Sequence, residues 1–200
     1  MIRWVEKKTC SLLVSEEPKT NMTNDSRIIL RNKRLSDARN DYEWQRDLEL
    51  ARLDATTPIT YSFQEYLADY TDAIQYPSLC RRPFSLETQD GEHIGNCVYY
   101  NIDENKGEAE LGIMIGDRQY WNKGYGADAV SALINHIFRR TKLNRIYLKT
   151  LVLNTRAHKC FLKCNLKPCG YLERDGYEFL LMEIYRQKWQ EQQSETSPAP

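Results

Sequence analysis

Between Phe84 and Arg140 the period of the apolar residues changes from two to that of a helix, and this switch limits the folds open to the chain. Strand-like runs at Phe84 to Glu87, His93 to Tyr100 and Glu108 to Ile115 are separated by the turn sequences Asp90-Gly91 and Asn105-Lys106-Gly107. Such spacing predicts an antiparallel meander. A helix follows from Lys123 to Arg140, with Ala127, Val130, Ile134, Ile137 and Phe138 along one stripe.

The flanks extend the pattern. Upstream, the apolar run Ile28-Ile29-Leu30 predicts a strand, and Asp37 to Ala51 a helix led by Ser36 as cap. Ser62-Phe63-Gln64-Glu65 has the spacing of a capping box, and Tyr66, Leu67, Tyr70, Ala73 and Ile74 then share a face before Pro77. Downstream come a strand from Arg145 to Leu153, a short helix opening at Asn154, and a hairpin of Pro168 to Arg174 with Tyr177 to Tyr185 across Asp175-Gly176. The expected class is α/β in the mixed (α+β) sense: a mostly antiparallel central sheet flanked by helices. One domain is expected over residues 26–189, preceded by an extension over 1–25 and followed by a tail over 190–200 whose composition predicts disorder.

Charge narrows the partners. The 28 basic and 28 acidic residues cancel, so no long-range field gathers nucleic acid or an anionic membrane, and neither is expected as a partner. No apolar run approaches the length of a membrane span. Six cysteines without paired spacing fit reduced thiols, hence a cytoplasmic location. His158, Cys160, Cys164 and Cys169 lie near one another but match no usual zinc spacing, so no metal site is expected.

The stretch from Trp121 to Ala129 carries the most chemistry. Gly124 and Gly126 let the backbone turn tightly, so that the free N–H groups of a first helical turn can face an anion. A Walker loop is excluded because no Gly-Lys-Ser or Gly-Lys-Thr follows. The spacing Gly124-x-Gly126-x-x-Ala129 matches a dinucleotide fingerprint, but that fingerprint requires an acidic residue closing the next strand, and Thr141 to Leu153 contains none. A turn that merely starts a helix is the remaining alternative.

Taken together, Glu110-Leu111-Gly112-Ile113-Met114-Ile115-Gly116, Tyr120 to Ala129, and Asn154-Thr155-Arg156-Ala157 resemble the GNAT superfamily, and within it the branch of ribosomal-protein N-terminal acetyltransferases. The resemblance implies an acetyl-CoA-dependent N-acetyltransferase. It implies that Ile113 and Ile115 offer backbone groups to the pantetheine arm. The pyrophosphate would lie over Asn122, Lys123, Gly124, Tyr125, Gly126 and Ala127, and Asn154, Ala157 and Phe161 would border the cofactor. Asn154 also reads as a plain helix cap. Trp121 replaces the Gln or Arg often found at the head of the phosphate motif, and Phe161 stands where many members carry a tyrosine acid.

Acetyl transfer needs an unprotonated amine, an oxyanion donor and a proton for the leaving thiolate. The resemblance suggests a backbone N–H near Met114 for the oxyanion. Glu110 is the candidate base, with a shared polar sheet face for Glu108 and Glu110 as the alternative. Phe161 cannot donate a proton; Cys160, Tyr171 or water could. Tyr61, Phe63, Tyr66, Tyr99 and Tyr100 are expected beside the acceptor. The first acceptor expected is a protein or peptide α-amine, whose pKa of about 7.7–8.0 leaves part of it neutral near pH 7. A small-molecule amine or polyamine is second, with Glu87, Glu92 or an acidic residue between the first two helices as its anchor. A non-catalytic CoA-binding regulatory module is the alternative from another class, and a homodimer is the oligomer considered.

Overall fold

The structure, a computed structural model, describes residues 27–196. The extension over 1–25 lies outside them. The elements are β1 (Ile28–Arg31), α1 (Ala38–Arg46), α2 (Leu48–Leu53), α3 (Phe63–Gln75), β2 (Arg81–Thr88), β3 (His93–Asp103), β4 (Glu108–Ile115), α4 (Tyr125–Arg140), β5 (Arg145–Leu151), α5 (Thr155–Lys163), β6 (Lys167–Arg174), β7 (Tyr177–Tyr185) and α6 (Arg186–Thr196). They build a seven-stranded sheet in the order β1-β2-β3-β4-β5-β7-β6, antiparallel except between β4 and β5.

The hairpin turns form where the sequence places them. Gly91 and Gly107 adopt φ of 88° and 68°, and Asp175 and Gly176 are both left-handed, as a two-residue hairpin turn requires. α4 lays Ala129, Val130, Leu133, Ile134, Ile137 and Phe138 on one face of the sheet, against Ile28, Leu86, Ile94, Cys97, Ala109, Leu111, Ile146 and Leu148. Burying those side chains removes α4's apolar stripe from water, at roughly 1.5–3 kcal/mol for each large residue.

Three differences from the sequence expectations have local causes. The helix expected over 37–51 breaks at Asp47, whose extended backbone and carboxylate, accepting from the Glu49 and Leu50 amides, start α2 as a separate helix. The expected cap Ser36 lies inside a 3₁₀ turn over Leu35–Asp37 instead. α4 starts at Tyr125 rather than Lys123 because Gly124 is left-handed at φ 91°. The chain also continues as α6 through Thr196, into the tail segment. Its first turn is anchored: Arg186 donates to the carbonyls of Leu143, Phe138 and Thr141, and Trp189 Nε1 donates to Asn135 Oδ1 at 2.6 Å. These contacts supply the tertiary anchoring that so short a helix lacks in isolation. Among the described residues no helix is long and apolar enough to cross a membrane.

α1 and α3 pack together through a smaller cluster of Ala38, Tyr42 and Tyr66, with Phe63, Leu67 and Tyr70 beside it. Here lie Tyr61, Phe63 and Tyr66, expected at the acceptor site; Tyr99 is buried in the main core. α1 is locked to the sheet by Trp44, whose ring occupies the space a Cβ on Gly116 would need. Against its ring, the largely covered side chain of His93 sits with Asp37, Asp41 and Asn96.

Candidate active site

The site begins where two strands part. β4 pairs with β5 only through Glu108, Ala109 and Glu110, opposite Arg145, Ile146 and Tyr147. Beyond that point β5, paired with β7 throughout, continues with β7 alone, while β4 continues to Ile115 with β3 alone. The backbone groups of β4 that would have met β5 are left facing a gap. Their identity follows from strand alternation, because a residue's N–H and C=O project to the same side. Gly107 O accepts from the Asn144 and Arg145 amides, so odd-numbered residues of β4 face β5; Leu111, Ile113 and Ile115 therefore face the gap.

This parity corrects the expected oxyanion donor. The Met114 carbonyl lies against Gly95 of β3, so the Met114 amide also points to β3 and away from the gap. The amides of Ile113 and Ile115 are the ones available. Of these residues' carbonyls, that of Ile115 is already engaged, accepting from Trp121 Nε1 at 2.7 Å.

The gap opens into a cavity of about 410 Å³. Its floor carries Ile113, Met114 and Ile115; one wall is the glycine loop with Asn122, Gly124, Gly126 and Ala127, and another is α5 with Asn154, Ala157, Cys160 and Phe161. Apart from Met114 and Cys160, these are residues expected at the cofactor, and two of that expected set are missing from the lining. Lys123 and Tyr125 do not line it: the Lys123 carbonyl accepts from Arg27 Nη1 at 2.9 Å, and the Tyr125 ring lies under the Arg27 guanidinium at 4.8 Å. Arg27 also bonds Asp128 and sits where a Cβ on Gly124 would project. The intrahelical ladder of α4 starts with the Ala127 and Asp128 amides on Gly124 O, so the preceding amides are outside it. Asn154 Oδ1 accepts from Ala157 N at 3.2 Å and so does serve as the cap of α5.

Trp121, the departure at the head of the phosphate motif, is a packing centre of the loop. Its ring lies under Arg156 of α5 at 3.6 Å and near Arg118 at 5.4 Å. Arg118 in turn holds Asp47 and Glu49 of α2. The loop thus ties α2, β4 and α5 together around the cavity. Arg156, Lys159 and Lys163 give its α5 side a cationic lining, which suits a polyanionic ligand.

Glu110 is not brought into the cavity. Its side chain is 3% exposed, accepts from Tyr100 Oη at 2.7 Å and Asn101 Nδ2 at 2.9 Å, and pairs with Lys149 Nζ at 3.0 Å. Burial and the Glu110 carboxylate push the Tyr100 hydroxyl's pKa up, so Tyr100 stays protonated as the donor. Phe161 is buried at the cavity wall, and its neighbour Cys160 shares the wall with its pKa raised by its hydrogen bond with Cys164 and by burial. Glu87 is taken up by Arg31 and Arg34.

The carboxylate that does line the cavity is Asp54, at the C-terminal end of α2 beside Leu50 and Leu53. It is reached by solvent, yet the surrounding protein raises its pKa to about 6, against the opposing pull of Arg81. No spacing rule singles it out; its only sequence signal is an acidic residue between the first and second predicted helices.

A model of the acetyltransferase (GNAT) domain matches residues 27–167. The chain belongs to the GNAT acetyltransferases. It is similar to an uncharacterized N-acetyltransferase p20 of Bacillus licheniformis, 29% identical over 161 residues, covering 80% of this chain and 90% of that protein. It is 27% identical over 100 residues to a spermine/spermidine N(1)-acetyltransferase of Bacillus subtilis, covering 48% of this chain and 66% of the relative. Among solved structures it resembles a spermidine N-acetyltransferase from Vibrio cholerae in complex with CoA and spermine, with a TM-score of 0.74 at 22% identity over 83% of this chain and 99% of the other. An aminoglycoside acetyltransferase in complex with coenzyme A gives a TM-score of 0.70 at 18% identity over the same shares. These structures share the fold of this GNAT chain. The narrower resemblance to the ribosomal-protein branch finds no support in relatives whose named substrates are polyamines and aminoglycosides. As an acyltransferase of this family the GNAT protein takes its acetyl group from acetyl-CoA, and the glycine cradle, the unpaired β4 edge and the cationic α5 wall fit that donor.

Proposed function

We propose that this GNAT protein transfers the acetyl group of acetyl-CoA to the primary amine of a small molecule, with polyamines as the leading acceptor class. The observation that carries the reading is the continuity of one cavity: it runs from the glycine loop, past the β4 edge freed below Glu110, to the apolar wall of Leu50 and Leu53 on α2. The α2 end of this cavity, beyond the residues that face the donor, offers Leu50, Leu53 and Asp54 to a small acceptor. The polyamine and aminoglycoside acetyltransferases among the relatives support the same class, ahead of the protein α-amine that the sequence alone puts first.

The chain's own groups divide the work. The Ile113 or Ile115 amide supplies the oxyanion donor, the α4 amides and the α5 cations hold the anionic end, and Phe161 excludes water without exchanging protons. Thiol release is measured with acetyl-CoA against spermine, spermidine, an aminoglycoside and a tripeptide with a free N-terminus. Turnover with the small amines at least tenfold above the peptide is expected; peptide turnover alone would return the α-amine reading to first place.

A further inference from the structure

The cavity is electrically divided. Its α5 side carries Arg156, Lys159 and Lys163, whereas its α2 end carries Asp54, the sole carboxylate among its lining residues. Cations suit the phosphates of the donor; a carboxylate at the other end suits a cation. Glu110, the other carboxylate near this end, is committed to Tyr100, Asn101 and Lys149 and contributes no free oxygen to the cavity. Asp54 stands on the helix that forms the acceptor wall, with Arg81 of β2 and Tyr100 of β3 as its charged and titratable neighbours.

We infer that Asp54 is the carboxylate that binds the acceptor's ammonium group and takes its proton before the nitrogen attacks the thioester. The assignment rests on the small-amine reading above and names the group that recognises the amine. The balance closes without a tyrosine acid. The ammonium gives one proton to Asp54 and becomes a neutral amine; its lone pair forms the C–N bond; the C–S bond then breaks, and the second proton on the attacking nitrogen passes through water to the leaving thiolate. Amide and thiol result, and Asp54, with a pKa near 6, returns its proton to water at neutral pH. Phe161 is therefore compatible with turnover.

The proposal has a signature in the pH profile. If the ionised Asp54 captures the ammonium form, kcat/KM for spermidine is flat from about pH 6 up toward the amine's own pKa of about 10.4, and falls tenfold per unit below pH 6. In Asp54→Asn the enzyme must wait for free neutral amine, so kcat/KM drops about 10²-fold or more at pH 7 and rises tenfold per pH unit across the former plateau. Asp54→Glu recovers part of the loss and restores the plateau. The melting shift induced by CoA alone is unchanged in both variants, because neither touches the glycine loop. An Asn variant with wild-type kcat/KM and plateau overturns the assignment and leaves the small-amine function standing. Loss of the CoA shift along with activity overturns it too, by making Asp54 structural. A wild-type protein that binds CoA but acetylates no amine refutes the function itself, and this role of Asp54 with it.

Discussion

The two loop glycines are expected to respond to alanine with opposite signs, and the structure supplies the size of each effect. At Gly124 the backbone is left-handed at φ 91°, where an L-residue costs about 1–2 kcal/mol. The new Cβ would also stand 2.6 Å from Arg27 Nη2, forcing that side chain off Lys123 O and Asp128. Arg27 is half exposed, so losing its ion pair adds about 0.2–1 kcal/mol. The total is about 1–3 kcal/mol, and at roughly 2–4 °C per kcal/mol for a domain of this size the melting temperature falls by about 2–12 °C. Gly126, by contrast, lies inside the first turn of α4, and its added Cβ would meet Cys160 Sγ at 3.4 Å and Ile115 Cγ1 at 3.9 Å, ordinary contacts. Gly126→Ala therefore melts at or slightly above wild type, by up to about 1 kcal/mol of helix preference. Scanning fluorimetry of both variants, with and without CoA, is the assay. In wild type, CoA at about 100 times its Kd stabilises by about 2.7 kcal/mol; Gly124→Ala needs more CoA for the same shift. A Gly124→Ala protein that melts within a degree of wild type and titrates identically with CoA would refute the claim that this φ and Arg27 jointly set the loop.

Other perturbations test the surroundings. Glu110→Gln leaves the Lys149 ammonium without its carboxylate in a partly buried site and weakens the hold on Tyr100 and Asn101, so a stability loss of about 1–3 kcal/mol is expected by chemical denaturation; an unchanged midpoint would remove the network from the stability of this corner. His93 titrates below its usual value because burial and the nearby Lys33 outweigh Asp41, Asp37 and Asn96. The folded state thus binds fewer protons there than the unfolded one, and the stabilisation is full above the unfolded pKa near 6.5 and is lost as pH falls through the lower folded value. His93→Gln should flatten the pH dependence of the melting temperature just below pH 6.5, and an identical slope in the variant would show that the titration lies elsewhere.

The sequence determined what local chemistry dictates. Gly91, Gly107 and Asp175-Gly176 specify turns because left-handed backbone is cheap only for such residues, and the stripe of Val130, Ile134, Ile137 and Phe138 specifies a helix with one buried face. The same logic made Gly124, Gly126 and Asn154 legible as a loop and a cap. Tertiary structure alone decided which groups face the cavity. Glu110 and Met114 lie on the cofactor-side strand as the motif implies, but sheet parity turns the Met114 amide to β3, and Tyr100, Asn101 and Lys149 enclose Glu110. Asp54 reaches the cavity at the end of α2, a helix that begins where the capping carboxylate of Asp47 breaks the expected single helix and that Arg118, stacked on Trp121, ties to the loop through Asp47 and Glu49. Those contacts join residues far apart in sequence, and no period or spacing along the chain encodes them.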